Sequence, residues 1–100
     1  MPKVSRETDS LTTGHICSST TTLDTPKQGT VFAEGKLIAR ITDPTVGHPF
    51  PPSPPCADHV ATVGAGSATV FVVGKKCARV DDAADAGNLT SGAGSVFAGG

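Results

Sequence analysis

The fourteen residues from Thr30 to Asp43 return 39 positions later as Thr69 to Asp82, and eight of the fourteen positions are identical. The shared residues are Thr, Val, Phe, Gly, Lys, Ala, Arg and Asp, in that order. The chain closes on Ser95-Val96-Phe97-Ala98-Gly99-Gly100, which matches the first half of this unit, and opens with Val4-Ser5-Arg6-Glu7-Thr8-Asp9, which matches the second half. The two ends add up to a third copy. A unit split between the termini predicts that the ends meet in space and close a ring of three nearly equal units, with a pseudo-threefold face.

Each unit also predicts its own local structure. Thr-Val-Phe and Ile-Ala-Arg-Ile are short β-branched and apolar segments, joined through Glu34-Gly35-Lys36 or Val73-Gly74-Lys75. Gly in those joints supplies the positive φ of a tight hairpin turn. In the second strand of a hairpin, Ile38, Arg40 and Thr42 share one face and Ala39 and Ile41 the other, so Arg40 is expected to lean out of the core, with Asp43 three positions on to hold it.

At 100 residues the chain is a single domain over 1–100, and 37% hydrophobic content with twelve Gly, eight Pro and four Phe makes a thin core. Phe32, Phe71 and Phe97 occupy one repeat position, so they are expected to be buried together on the pseudo-threefold axis. So thin a core also suggests a structural metal. A net charge of −1 with scattered Lys and Arg gives no basic stripe, which sets nucleic acid aside as a partner. No apolar run approaches a membrane span, and Met1-Pro2-Lys3 leads into polar residues without a signal-peptide core, so the chain reads as a soluble protein made in the cytoplasm. Cys17, Cys56 and Cys77 are an odd number without a close pair, which favours free or metal-bound thiols over disulfides.

Two long connections separate the units. Residues 10–29 are rich in Ser and Thr and are expected to form an ordered loop, since a long structureless connection is unusual in a small domain. Residues 44–59 hold six of the eight prolines, which predicts a stiff polyproline II path. Residues 60–68 read as strand and turn leading into the second hairpin, and residues 83–94 as a small polar connection to the closing strand. No stretch has helical periodicity, so the fold class is all-β.

All three histidines fall in those connections: His15 in the first, His48 and His59 in the second. Cys56 precedes His59 by three residues, a spacing that lets both reach one ion from a tight turn. Three His and one Cys make a tetrahedral nitrogen and sulfur shell, for which zinc is the usual occupant and iron a weaker alternative. Scattered surface histidines are the competing account. Cys17 is a rival ligand, two residues after His15, and would displace one of the His. Cys77 replaces Ile38 within a strand and reads as a buried small apolar residue. Four protein ligands leave no open position for water or substrate, which argues against a hydrolase. No Gly-x-Ser-x-Gly elbow is present, and Asp81, Asp82 and Asp85 lack calcium-loop spacing and read as a solvated turn.

The units Thr-Val-Phe-x-x-Gly-Lys-x-x-Ala-Arg-x-x-Asp, the Asp43-Pro44 that follows, Gly14-His15, Cys56-x-x-His59 and the closing Gly94 to Gly100 together resemble the PAAR-repeat family, over nearly the whole chain. The chain departs from that family where Arg-Val-Gly-Asp becomes Arg40-Ile41-Thr42-Asp43 and Arg79-Val80-Asp81-Asp82, losing the turn Gly in both. The resemblance implies a small cone with zinc near its apex, held by His15, His48, Cys56 and His59. It further implies a non-enzymatic tip that caps a trimeric β-helical spike, one tip per trimer, in a contractile phage tail baseplate or a type VI secretion system. Such a tip is a monomer when free, touches the target membrane only transiently, and resides at the virion baseplate or is secreted through the type VI machine. No fused extension follows the repeat, so the chain reads as a bare tip. A small zinc-dependent hydrolase and a proline-rich adaptor module are the alternatives from other classes.

Overall fold

The structure, a computed structural model, describes residues 2–14, 19–50 and 57–99, with the backbone alone for 48–50 and 57–59. The described residues are all β, without a helix. They form ten short strands in five antiparallel pairs. β1 (Ser10–Thr12) pairs with β2 (Thr20–Thr22), β3 (Phe32–Ala33) with β4 (Lys36–Leu37), and β5 (His48–Phe50) with β6 (Ala57–His59). β7 (Phe71–Val72) pairs with β8 (Lys75–Lys76), and β9 (Ala83–Ala84) with β10 (Gly87–Asn88).

The repeat hairpins turn as their glycines predict, with an added constraint. Ala33 pairs with Lys36 and Val72 with Lys75, leaving two residues in each loop. Both loop residues take positive φ: 52° and 81° at Glu34 and Gly35, and 47° and 81° at Val73 and Gly74. Turns of this hand match the right-handed twist of the flanking strands. Gly adopts the conformation freely, but a β-branched Val is strained there.

The two ends of the chain pair with each other in the same register. Lys3 stands opposite Phe97, as Leu37 does Phe32 and Lys76 does Phe71. The Val4 N–H donates to the Val96 carbonyl at 2.9 Å and the Ala98 N–H to the Pro2 carbonyl at 3.0 Å.

The Arg-x-x-Asp segments then link the units in a cycle. Arg6 bridges to Ile38, Arg40 to Cys77 and Arg79 back to Val4. One residue before each Arg the main chain closes a ring: Ala39 N–H donates to Ser5 O at 3.0 Å, Ser5 N–H to Ala78 O at 2.9 Å, and Ala78 N–H to Ala39 O at 3.0 Å. Ser5, Ala39 and Ala78 have no exposed surface. Strands that approach this closely leave room only for small side chains.

Apolar residues pack on both sides of the ring. On the hairpin side Ala33, Val72 and Ala98 join Val4, Ile38, Cys77 and Ala93; on the other, Leu11, Leu23, Val63, Ala84 and Leu89 surround Ala39 and Ala78. Leu23, Val63 and Leu89 are fixed alike, each accepting an N–H from the third residue of an Arg-x-x-Asp segment and donating to the carbonyl of its Asp. The molecule measures 40 × 24 × 21 Å, one long axis and two nearly equal short ones.

Four expectations are corrected. Phe32, Phe71 and Phe97 are exposed, at 56%, 55% and 45%, because successive strand residues face opposite ways and the inward place goes to Ala33, Val72 and Ala98. Arg40 is buried at 4% exposure instead of leaning out, its charge met by Asp43. The proline-rich connection is paired at both ends as β5 and β6, with Pro49 opposite Asp58, while residues 51–56, with four of its prolines, lie outside the described residues. Pro is tolerated there because each strand of a two-stranded ladder is an edge. Residues 83–94 contain the β9–β10 hairpin, whereas 60–68 hold only bridges, from Thr62 to Pro44 and from Val63 to Ala84.

Candidate functional site

Among the described residues the two repeat hairpins and the paired termini present three strand edges without a partner. In a two-residue hairpin the residues flanking the loop exchange hydrogen bonds, and the next pair out does not. The pair beyond that bonds again, as the Ile38 N–H does to Val31 O at 3.1 Å, the Cys77 N–H to Val70 O at 3.0 Å and the Val4 N–H to Val96 O at 2.9 Å. The residues in between are Phe32, Phe71 and Phe97, so their main-chain N–H and C=O point away from the partner strand. Each exposed ring therefore stands on an open strand edge, a ready template for a further strand. Val70 and Val73 are also exposed here, at 37% and 56%.

The Arg-x-x-Asp segments hold these edges in place, by the same bonds in each unit. Asp9 Oδ2 accepts from the N–H and Nε of Arg6 at 2.8 and 2.9 Å. Asp43 Oδ2 does so for Arg40 at 2.8 and 3.2 Å, and Asp82 Oδ2 for Arg79 at 2.9 and 3.0 Å. The free end of each guanidinium then reaches the turn position of the next unit: Arg6 Nη1 to Glu34 Oε1 at 3.3 Å, Arg40 Nη1 to Val73 O at 3.2 Å, Arg79 Nη1 to Gly99 O at 3.1 Å. The Asp hydrogen bonds raise the pKa of Arg6 and Arg79 further above neutrality. Asp82 thus belongs to a lock and not to a solvated turn, while Asp81 is exposed with φ 78°. Thr8 and Thr42 share that left-handed conformation at φ 70° and 72°, at the position where the family resemblance places Gly.

The predicted metal ligands lie among the long connections. His48 and His59 are direct partners in the β5–β6 ladder. Opposite positions in an antiparallel pair are the closest cross-strand neighbours, about 4.5–5.5 Å apart at Cβ. His15, Cys56 and the rival Cys17 lie outside the described residues, and among the described residues no three metal-ligating side chains gather. Cys77 is fully buried, as expected, and burial pushes its thiol up to about 11, which keeps it protonated and inert.

Three polar residues have roles that the sequence does not announce. Buried Gln28 donates from Nε2 to Val31 O at 2.8 Å and Ile38 O at 3.0 Å, and its Oε1 accepts from the N–H of Thr30 and of Val31 at 2.9 Å each. In the second copy the main-chain N–H of Ser67 bonds Cys77 O and its Oγ accepts from Thr69 and Val70. A side-chain amide in one unit replaces a backbone group and a hydroxyl in another, which no residue-by-residue match would reveal. Glu34 accepts from the Ser95 hydroxyl, from the N–H of Gly94 and Ser95 at 3.1 and 3.0 Å, and from Arg6. Those donors, the Ser95 hydroxyl foremost, hold its carboxyl below the usual range.

No family model matches the chain, and no curated protein matches it either.

Proposed function

We propose that this protein is a structural, non-enzymatic spike tip of the PAAR-repeat kind. Its three hairpin edges, arranged about a pseudo-threefold axis, cap the open end of a trimeric β-helical spike, and its long connections converge on a metal at the apex of a cone. The observation that carries the reading is the cyclic linkage of three units, each offering one free strand edge with a phenylalanine on it. A single chain with one feature repeated three times around a closed ring is suited to three identical partner chains at once. Free edges ordinarily invite aggregation, and docking onto the spike would cover them. The host machine would be a phage tail baseplate or a type VI secretion system, where a rigid point sharpens the spike for piercing the target envelope.

At the apex, zinc, with iron as the weaker alternative, would be held by His15, His48, Cys56 and His59. The His48–His59 register fits two such ligands on one ladder, and the nitrogen and sulfur donors suit zinc. Bound there, the ion would tie the two long connections together where little apolar surface can. Mixing the protein with a purified trimeric spike and weighing the complex by light scattering tests the docking: one tip per three spike chains is expected, and three tips per trimer would sink the reading.

A further inference from the structure

The hairpin end of the molecule is rich in lysine. Four lysines sit in its paired strands, with Lys3 directly across from Phe97 and Lys76 from Phe71. Both of these are exposed. Lys36 and Lys75 donate to the hydroxyls of Thr8 and Thr42 at 2.7 Å, so hydroxyls and not carboxylates hold them. The ion pairs among the described residues all involve arginine, so these lysines are in none of them. The acids nearby are engaged: Glu34 by Arg6, Gly94 and Ser95, and Glu7 by the Leu37 N–H at 2.8 Å. Asp24 is exposed beside Leu23, on the other side of the ring, and Asp81 is exposed one residue after Val80, whose N–H donates to the Lys3 carbonyl at 2.9 Å. Four of the five lysines of a nearly neutral chain thus sit on the paired segments that carry the phenylalanines, the fifth being the exposed Lys27.

Main-chain hydrogen bonds at open edges and exposed aromatic rings would suit many strand ends, so they give adhesion with little selectivity. Charge at the border of such a face is what steers encounter and rejects wrong partners. We propose that the hairpin face takes a threefold-repeating protein end on which the apolar residues meeting Phe32, Phe71 and Phe97 are bordered by carboxylates that pair with Lys3 and Lys76. This rests on the spike-tip reading and adds the chemistry of the partner to it. Leu37 stands where the third lysine would be, so two corners are charged and one is apolar. On a symmetric trimer all three partner corners are identical, and the carboxylate facing Leu37 stays in water at the rim.

The test titrates the wild-type protein and a Lys3→Glu/Lys76→Glu variant against the purified trimeric β-helical spike from the same source, at about 50 mM and about 500 mM salt. Wild-type binding should weaken with salt, and the variant should bind about tenfold more weakly at the lower concentration, with the gap largely closed at the higher one. Both lysines are exposed, so an unchanged melting temperature certifies the fold, and Lys76→Gln serves if the double variant does not express. Equal affinities and equal salt slopes for wild type and variant overturn the acidic-border inference and leave the spike-tip reading standing. Failure of the wild type to bind the trimer at either salt overturns both. Lysine-dependent binding of a DNA duplex in place of the trimer would assign these charges to nucleic acid and overturn the proposal as well.

Discussion

The N–H of Ala39 donates to the carbonyl of Ser5 at 3.0 Å, joining the first full repeat to the N-terminal segment with two side chains of minimal size. Smallness here is a packing requirement. Ala78→Leu would force a branched side chain between three backbones, and overpacking of this kind costs roughly 1–3 kcal/mol. Denaturant unfolding should show that loss, or no folded protein. A stable Ala78→Leu variant with wild-type unfolding would mean that the ring has slack.

Arg40 and Asp43 are the most deeply buried of the three Arg-x-x-Asp ion pairs, with side-chain exposures of 5% and 1%. Removing one partner leaves an uncompensated buried charge, so Asp43→Ala should cost about 3–5 kcal/mol. The corresponding change at Asp9, whose Arg6 is 12% exposed, should cost less. The ordering of the two melting temperatures checks this.

Val73 holds a left-handed conformation while 56% exposed. Val73→Asn would create Asn-Gly, the favoured pair for this turn, and should raise stability by about 1 kcal/mol. A lower melting temperature would indicate that the valine side chain contributes more than its strain takes away.

Glu34 supplies a pH dependence. Its folded pKa lies below the ordinary value of 4.5, so its contribution is fully present above that value and is lost as pH falls through the lower folded value. Glu34→Gln should therefore lower the melting temperature at neutral pH, and the two curves should converge in acid. Parallel curves down to the acid limb would remove Glu34 from the closure of the C-terminal segment.

Phe71→Ala should cost little stability, because the ring is 55% exposed and a fully buried Phe is what carries a loss of about 3–5 kcal/mol. Its effect should fall on binding to the trimeric spike, measured by titration. In the same preparations metal analysis should find about one zinc or iron per chain, lost in His48→Ala and His59→Ala and retained in Cys77→Ala.

The repeat made much of this architecture legible. Identical Arg and Asp at fixed spacing produce identical locks, and Gly35 and Gly74 mark their turns without ambiguity. The phenylalanines break the expectation because size is not a measure of burial. Where three backbones bond to one another the interior holds Ser5, Ala39 and Ala78, the inward hairpin places go to Ala33, Val72 and Ala98, and the larger rings face out. Arg40 breaks it in the opposite sense, since strand alternation takes no account of a neighbouring carboxylate that makes burial tolerable. The β9–β10 hairpin was invisible because Ala-Ala and Gly-Asn have little strand preference, and their pairing is imposed by Leu89 and Val63 on either side. For the metal site, spacing could nominate His48 and His59, but only the register of β5 and β6 sets them opposite each other.

The three donors at Ser5, Ala39 and Ala78 all run the same way round, so the ring is chiral as well as closed. Each of the three segments is therefore donor to one neighbour and acceptor from the other, so the ring has no free end from which its bonds could be opened one after another.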